Sequence, residues 1–315
     1  MLEKLKIKIH EFLAPIPQDE VLTTSDTAAI IRQVRKIEFK TKSLSNHLFS
    51  GEYHSAFKGR GMSFSEVREY QYGDDVRNID WNVSARLKKP HIKIFEEERE
   101  LTLLLMIDVS KSTLWGTHQQ SVRNRITEMA ALLAFSAISN HDKVGVVLFS
   151  DKIEKYIPPQ KGKSHILHII RELITITPTG SNTDINKALE FTNSVNKKSS
   201  ILFLLSDFLC TNFSPALRIA SRRNDLIAVQ VTNNQEILPV DVGLLQIRDY
   251  ETGELKWIDT SDKISLRKRN EILAKTEKRL KAELNKNGAD YIKIAQTDDY
   301  VQKLHLFFKR RISKR

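Results

Sequence analysis

Three nearly unbroken apolar runs stand out in a chain otherwise mixed in polarity: LTLLLMI at 101–107, VGVVLF at 144–149 and ILFLLS at 201–206. Runs of that length, bounded by polar residues, suit strands buried on both faces of a sheet. LIAVQVT (226–232) and DYIKIAQ (290–296) predict further strands, and GLLQIRDY with LKWIDT predicts a hairpin. Between these runs the apolar residues recur at helical spacing, in HQQSVRNRITEMAALLAFSAIS, SHILHIIREL, DINKALEFTNSV and SPALRIASRR. A long C-terminal helix places Leu266, Leu273, Leu280 and Leu284 on one side; two heptads are too few for a coiled coil, so that side is expected to dock on the sheet. Strands alternating with helices imply an α/β fold, a doubly wound, mostly parallel sheet covered on both faces.

Ahead of this sheet the pattern changes. Residues 1–50 read as a link followed by an amphipathic helix from about Ser25 to Leu48, expected to pack on something downstream. Residues 51–100 read as a docking segment. There Gly73 and Asp74 form a turn, Asp75 caps a helix with Val76, Ile79, Val83 and Leu87 on one face, and HIKIFEEERE pairs as an edge strand or arm. Arg68 with Glu69 or Asp74, and Arg77 with Asp75 or Asp80, are expected to form ion pairs that fix the docking, with a buried Trp81 indole. Arg60 and Arg86 are candidate anion-binding groups. Residues 101–315 then form the main domain, including the C-terminal hairpin, helix, strand and helix.

Candidate chemistry sits where the apolar runs end. Asp108 stands at the exit of the first run, and Ser110 and Ser112 alternate with Val109 and Lys111, so one turn aims a carboxylate and two hydroxyls at the same point. Thr183 opens a helical pattern and Asp207 ends ILFLLSD. Both fall where an open parallel sheet carries its ligand loops, beyond the carboxyl ends of its strands. Asp108, Ser110, Ser112, Thr183 and Asp207 make an all-oxygen donor set, suited to Mg2+, with Mn2+ or Ca2+ as alternatives. Singly, each could cap a loop or helix instead. Five in order at one sheet edge favour the metal.

This constellation resembles the metal-ion-dependent adhesion site of von Willebrand factor A domains, which has the form Asp-x-Ser-x-Ser, then Thr, then Asp. The preceding GRGMSFSEVREYQYGDDVRNIDWNVSARLKK resembles the family called domain of unknown function 58, through Gly59 to Gly61, Arg68 to Tyr70, Gly73 to Trp81, Ala85 and Arg86. The resemblance runs from about Gly51 to the C-terminus. It implies a von Willebrand factor A-like, Rossmann-like fold in which Ser110, Ser112 and Thr183 bind magnesium directly and Asp108 and Asp207 act directly or through water. It further implies a protein partner that supplies an Asp or Glu to the metal, and an adaptor role beside an AAA+ ATPase of the MoxR type. Three departures stand out: Ser181-Asn182-Thr183 replaces Gly-Gly-Thr, Phe208 follows Asp207 where many relatives have Gly, and Thr113 replaces a frequent Met.

Composition narrows the alternatives. The net charge of +11 raises nucleic-acid binding, but residues 262–315 hold sixteen Lys and Arg against seven Asp and Glu. Most of the excess is thus a solvated face of the C-terminal helices, without interleaved aromatic residues to stack on bases. A metal-dependent hydrolase acting on phosphoesters or nucleotides is the catalytic alternative. No His lies within the three metal loops, His118 and His141 only flank a helix, and GxxxxGK, HExxH and a nucleophile elbow are missing. A non-catalytic interaction module is expected. The single Cys210, the lack of a membrane-length apolar run and the rapidly alternating charges of MLEKLKIKIHEF set the expected compartment as the cytoplasm.

Overall fold

The computed structural model describes residues 32–41, 53, 57, 62–97, 101–114, 116–117, 120–180, 182–209, 213–232, 243–248, 255–259 and 261–313. In chain order these form helix α1 (32–41), strand β1 (Met62–Glu69), α2 (Trp81–Leu87), β2 (His91–Glu97), β3 (Thr102–Asp108), β4 (Gly116–Thr117), β5 (Gln120–Ser121) and α3 (Val122–Ser139). There follow β6 (Lys143–Phe149), β7 (Ile153–Gln160), α4 (Lys163–Thr175), α5 (Ile185–Val195), β8 (Ile201–Ser206), α6 (Ser214–Arg223) and β9 (Asp225–Thr232). The hairpin β10 (Leu244–Arg248) and β11 (Leu255–Asp259), α7 (Lys263–Lys286), β12 (Asp290–Ala295) and α8 (Tyr300–Ser313) complete the described chain.

One six-stranded sheet runs β12-β9-β8-β3-β6-β7, parallel except for β7. The alternation inside β3 shows why its apolar run is continuous. Leu103, Leu105 and Ile107 enter one core with α3, α4 and α8, while Leu104 and Met106 enter a second core with α5, α6 and the end of α7. A central strand must satisfy both faces at once, so every position is apolar. Along α7, Leu280 and Leu284 are buried and Leu273 is half-buried, so the described leucines of that side dock on the sheet, most deeply toward the C-terminal end. Among the described residues, no helix is long and apolar enough to cross a membrane.

The N-terminal part packs on the first core. Ile37 of α1 is buried there, Lys40 pairs with Glu128 of α3 at 2.8 Å, and Glu38 pairs with Lys163 of α4 at 2.5 Å. Tyr53 and Phe57 join Phe203 and Phe308 in an aromatic cluster, with the Arg311 guanidinium 4.9 Å from the Phe57 ring. Arg311 itself is buried and pairs with Asp225 and Asp290, so one C-terminal cation is structural. The other residues of the helix expected over 25–48 lie outside the described residues.

The segment before the sheet keeps the expected strand and differs from expectation in three other ways. HIKIFEE pairs antiparallel with Met62–Glu69, a strand hidden in the sequence by its polar residues. The single helix expected after Asp75 is two pieces, a 3-10 turn at Val76–Asn78 and α2, because Ile79 and Asp80 are extended. Asp75 accepts from the Arg77 amide and Asp80 from the Asn82 and Val83 amides, so each aspartate starts its own turn. Arg68 does grip Asp74 through two bonds of 2.8 and 2.7 Å, but Asp80 pairs with Lys93 rather than Arg77. Finally, Trp81 is 70% exposed, together with Tyr72, Val76 and Leu87. The expected apolar face is therefore not a buried one.

Candidate metal centre

The chain leaves β3 toward one side in β6 and returns to the other side in β8, so the crevice beyond the carboxyl ends of β3 and β8 is the topological switch point. Asp108 ends β3 and Asp207 follows β8, which sets both carboxylates at that crevice. Each closes its own loop with one oxygen. Asp108 Oδ1 accepts from the Ser110 amide at 2.9 Å and Asp207 Oδ1 from the Leu209 amide at 3.2 Å. The loop-capping alternative thus holds for half of each carboxylate, and the second oxygen is spent across the crevice.

There the hydroxyls take over. Ser206 donates to Asp108 Oδ2 at 2.7 Å, and Ser112 donates to Asp207 Oδ2 at 2.7 Å. Ser110 and Ser112 share a hydroxyl contact of 2.9 Å, so Ser110, Ser112 and Asp207 form one chain of oxygens. Asp108 is fully buried, and burial, then the nearby Asp207, pushes its carboxyl up to about 7. Burial likewise raises Asp207. Two crowded, desolvated carboxylates are a charge arrangement that a cation relieves.

Thr183 comes from the neighbouring strand's side. Its helix, α5, is capped by Asp184, whose side chain accepts from the Lys187 amide at 3.0 Å, so Thr183 is not the cap. The Asp184 amide donates to the Ser150 carbonyl at 2.9 Å, anchoring the threonine at the end of β6, next to β3. Thr183 Oγ1 is buried without a hydrogen-bond partner among the described residues. The loop before it is stapled by Glu154, which accepts from the Ser150 hydroxyl, the Thr179 amide and hydroxyl, and the Gly180 amide. Burial would raise Glu154, but these bonds hold it down at about 2. A Cβ on Gly180 would lie 1.9 Å from Asp151 Oδ1 and 2.2 Å from Ser150 Oγ, so a larger residue there would displace both side chains.

Of the departures, Phe208 has φ 57°, the left-handed conformation that glycine adopts freely and other residues at about 1–2 kcal/mol. Its buried ring against Phe213, centroids 6.1 Å apart, holds it there. Thr113 donates to the Ser110 carbonyl at 2.7 Å and so braces the serine turn. Sequence reasoning missed Ser206, although it directly precedes Asp207, and also Glu154 and the buried Arg123 beneath the first loop. The candidate anion-binding Arg86 is exposed on α2, and Arg60 lies outside the described residues. Among the described residues no group of three or more His, Cys, Asp or Glu converges, so a metal here would rely on hydroxyls plus two carboxylates. All five expected donors stand at the same sheet edge, four of them joined by the bonds above.

A mostly parallel six-stranded sheet covered by helices on both faces is a von Willebrand factor A-like fold. Within that class, the chain belongs to the family described as "Protein of unknown function DUF58", which matches residues 66–280. That span leaves out Gly59 to Gly61 and the last strand and helix. The uncharacterized protein Rv1480 of Mycobacterium tuberculosis is 26% identical over 234 residues, 73% of this chain and 74% of that protein. The uncharacterized protein YeaD of Bacillus subtilis is 28% identical over 109 residues, 35% of this chain and 25% of that one. Among solved structures, the conserved hypothetical protein BatB of Bacteroides thetaiotaomicron aligns at TM-score 0.45 and 15% identity over 68% of this chain and all of that one. Proximal thread matrix protein 1 of the mussel byssus, with a zinc-occupied adhesion motif, aligns at TM-score 0.35 and 16% identity over 42% of this chain and 38% of that one.

Proposed function

We propose that this chain is a non-catalytic, divalent-metal-dependent protein-interaction module. The observation that carries the reading is Thr183 Oγ1, a buried hydroxyl without a partner among the described residues, held at the end of β6 while a chain of serine and aspartate oxygens lies at the ends of the adjacent β3 and β8. A buried polar group left unpaired costs about 1–3 kcal/mol, which a cation at that oxygen would offset. Ser110, Ser112 and Thr183 would hold Mg2+, Mn2+ or Ca2+, and Asp108 and Asp207 would balance its charge. When bound, the cation would supply a Lewis-acidic position for an Asp or Glu of a partner. The two carboxylates cancel a double positive charge, and the buried Arg123 beneath them adds another, so an anionic partner group is what the site calls for.

The partner class implied by the family resemblance is an AAA+ ATPase of the MoxR type, working with this chain as its adaptor in the cytoplasm. The non-catalytic reading is supported by His141, which precedes β6 at the amino end of its strand, across the sheet from the candidate site. Pairing of Lys293 with Glu277, Lys303 with Asp298 and Arg311 with Asp225 supports a structural use of three of the sixteen C-terminal cations. A pull-down with a purified MoxR-type ATPase in Mg2+ and in chelator tests the proposal. Retention in Mg2+, loss in chelator and loss in Ser110→Ala are expected; binding unchanged in all three would refute it.

A further inference from the structure

Arg123 sits in the first turn of α3 and is 6% exposed. Its guanidinium is spent on loops. Nη2 donates to the Val109 carbonyl at 2.6 Å, Nε to Thr113 Oγ1 at 3.4 Å and Nη1 to the Ile176 carbonyl at 3.4 Å. Val109 and Thr113 bracket Ser110 and Ser112. Ile176 caps the end of α4 and opens the connection that leads to Thr183. One planar fork with fixed donor directions therefore touches the first hydroxyl-bearing loop twice and the root of the second once.

The other attachments of these loops run through the sheet, and at the end of β6 the Val109 amide of the first loop also donates to the Phe149 carbonyl at 2.8 Å. Glu154 and Ser150 tie the second loop to the β6–β7 end of the sheet, and Asp207 and Ser206 tie the first loop to β8. Arg123 adds one side chain that reaches both loops from below, off the sheet. A long apolar side chain would fill the same space without the desolvation cost of a buried cation, but it could bind neither loop.

We infer that Arg123 is a positioning residue that locks the two hydroxyl-bearing loops to each other, setting the arrangement of Ser110, Ser112 and Thr183 before any cation arrives. Its consequence for metal binding rests on the function proposed above; the locking itself does not.

Hydrogen–deuterium exchange of the chelated protein separates the two. Peptides covering 109–114 and 176–184 are followed, with 201–206 as reference, in wild type, Arg123→Met, Arg123→Lys and Thr113→Val. Both loops should exchange at least about tenfold faster in Arg123→Met and in Arg123→Lys, which keeps the charge but not the fork, while the reference stays unchanged. Thr113→Val removes one arm together with the hydroxyl brace on the Ser110 carbonyl and should loosen 109–114 alone, while Arg123→Lys keeps the test decisive if Arg123→Met does not fold. An even rise across all three peptides, or a rise confined to one loop in Arg123→Lys, would overturn the inference. Mn2+ titration gives a second readout, in which Arg123→Lys should weaken the affinity by about 10–100-fold at unchanged stoichiometry, as for groups that orient metal ligands. Unchanged affinity would also overturn it. A wild type that takes up no Mn2+ would sink the metal-site reading, and the exchange data would then decide the locking alone.

Discussion

Replacing Asp108 by Asn should make the metal-free protein more stable at alkaline pH, although it removes a residue from the candidate site. Asp108 is fully buried and its carboxyl is raised from the ordinary 3.8 to about 7, by burial first and then by Asp207. A raised carboxyl has its full stability below the unfolded-state pKa and loses it as pH rises through the folded-state pKa. The penalty therefore builds between about pH 4 and pH 7 and is constant above. At 1.36 kcal/mol per unit, ionisation costs about 4 kcal/mol at pH 8. Asn keeps one acceptor and loses the other, so either the Ser110 amide or the Ser206 hydroxyl loses its bond, at about 1 kcal/mol. The net expectation is a gain of about 3 kcal/mol at pH 8 that shrinks to less than about 1 kcal/mol at pH 5. Urea melts in chelator at the two pH values measure it. Equal destabilisation at pH 5 and pH 8 would refute the claim that a strained carboxylate occupies this position.

Two other substitutions probe separate parts of the structure. Thr183→Val removes a buried hydroxyl that has no partner among the described residues, so the chelated protein should be unchanged or up to about 1 kcal/mol more stable, while its thermal response to Mg2+ disappears; differential scanning fluorimetry reads both. Trp81→Ala should change stability by less than about 0.5 kcal/mol, since the indole is 70% exposed, and a loss of several kcal/mol by urea melt would show that it is covered in solution.

What was legible in the sequence follows from how many neighbours each residue must satisfy. The strands β3, β6 and β8 are apolar at nearly every position because both faces are buried, and such runs announce themselves. Asp108 and Asp207 were legible because each stands where such a run stops. The edge strand β7 was not, because IEKYIPPQ carries charges and two prolines that only an edge tolerates. Nor was β1, whose alternation is masked by serines and glutamates. The capping of α5 by Asp184 frees Thr183 for another role, but adjacent Thr and Asp are both competent caps, and only the backbone settles between them. Arg123 was invisible because a lone Arg in a helical pattern reads as surface, and its acceptors lie 10, 14 and 53 residues away. The exposure of Trp81 escaped for a related reason: tryptophan is usually covered, and nothing local says when it is not.

The most direct test of the central claim is isothermal titration of Mn2+ and Mg2+ into chelator-treated wild type, Ser110→Ala and Asp108→Ala at pH 8. Wild type should take up one ion per chain, with a rise in thermal midpoint that grows with the logarithm of ion concentration, and both variants should show neither while remaining folded. Wild type without uptake at millimolar ion, or variants that bind as wild type does, would contradict the assignment of Asp108, Ser110, Ser112, Thr183 and Asp207 as a metal site.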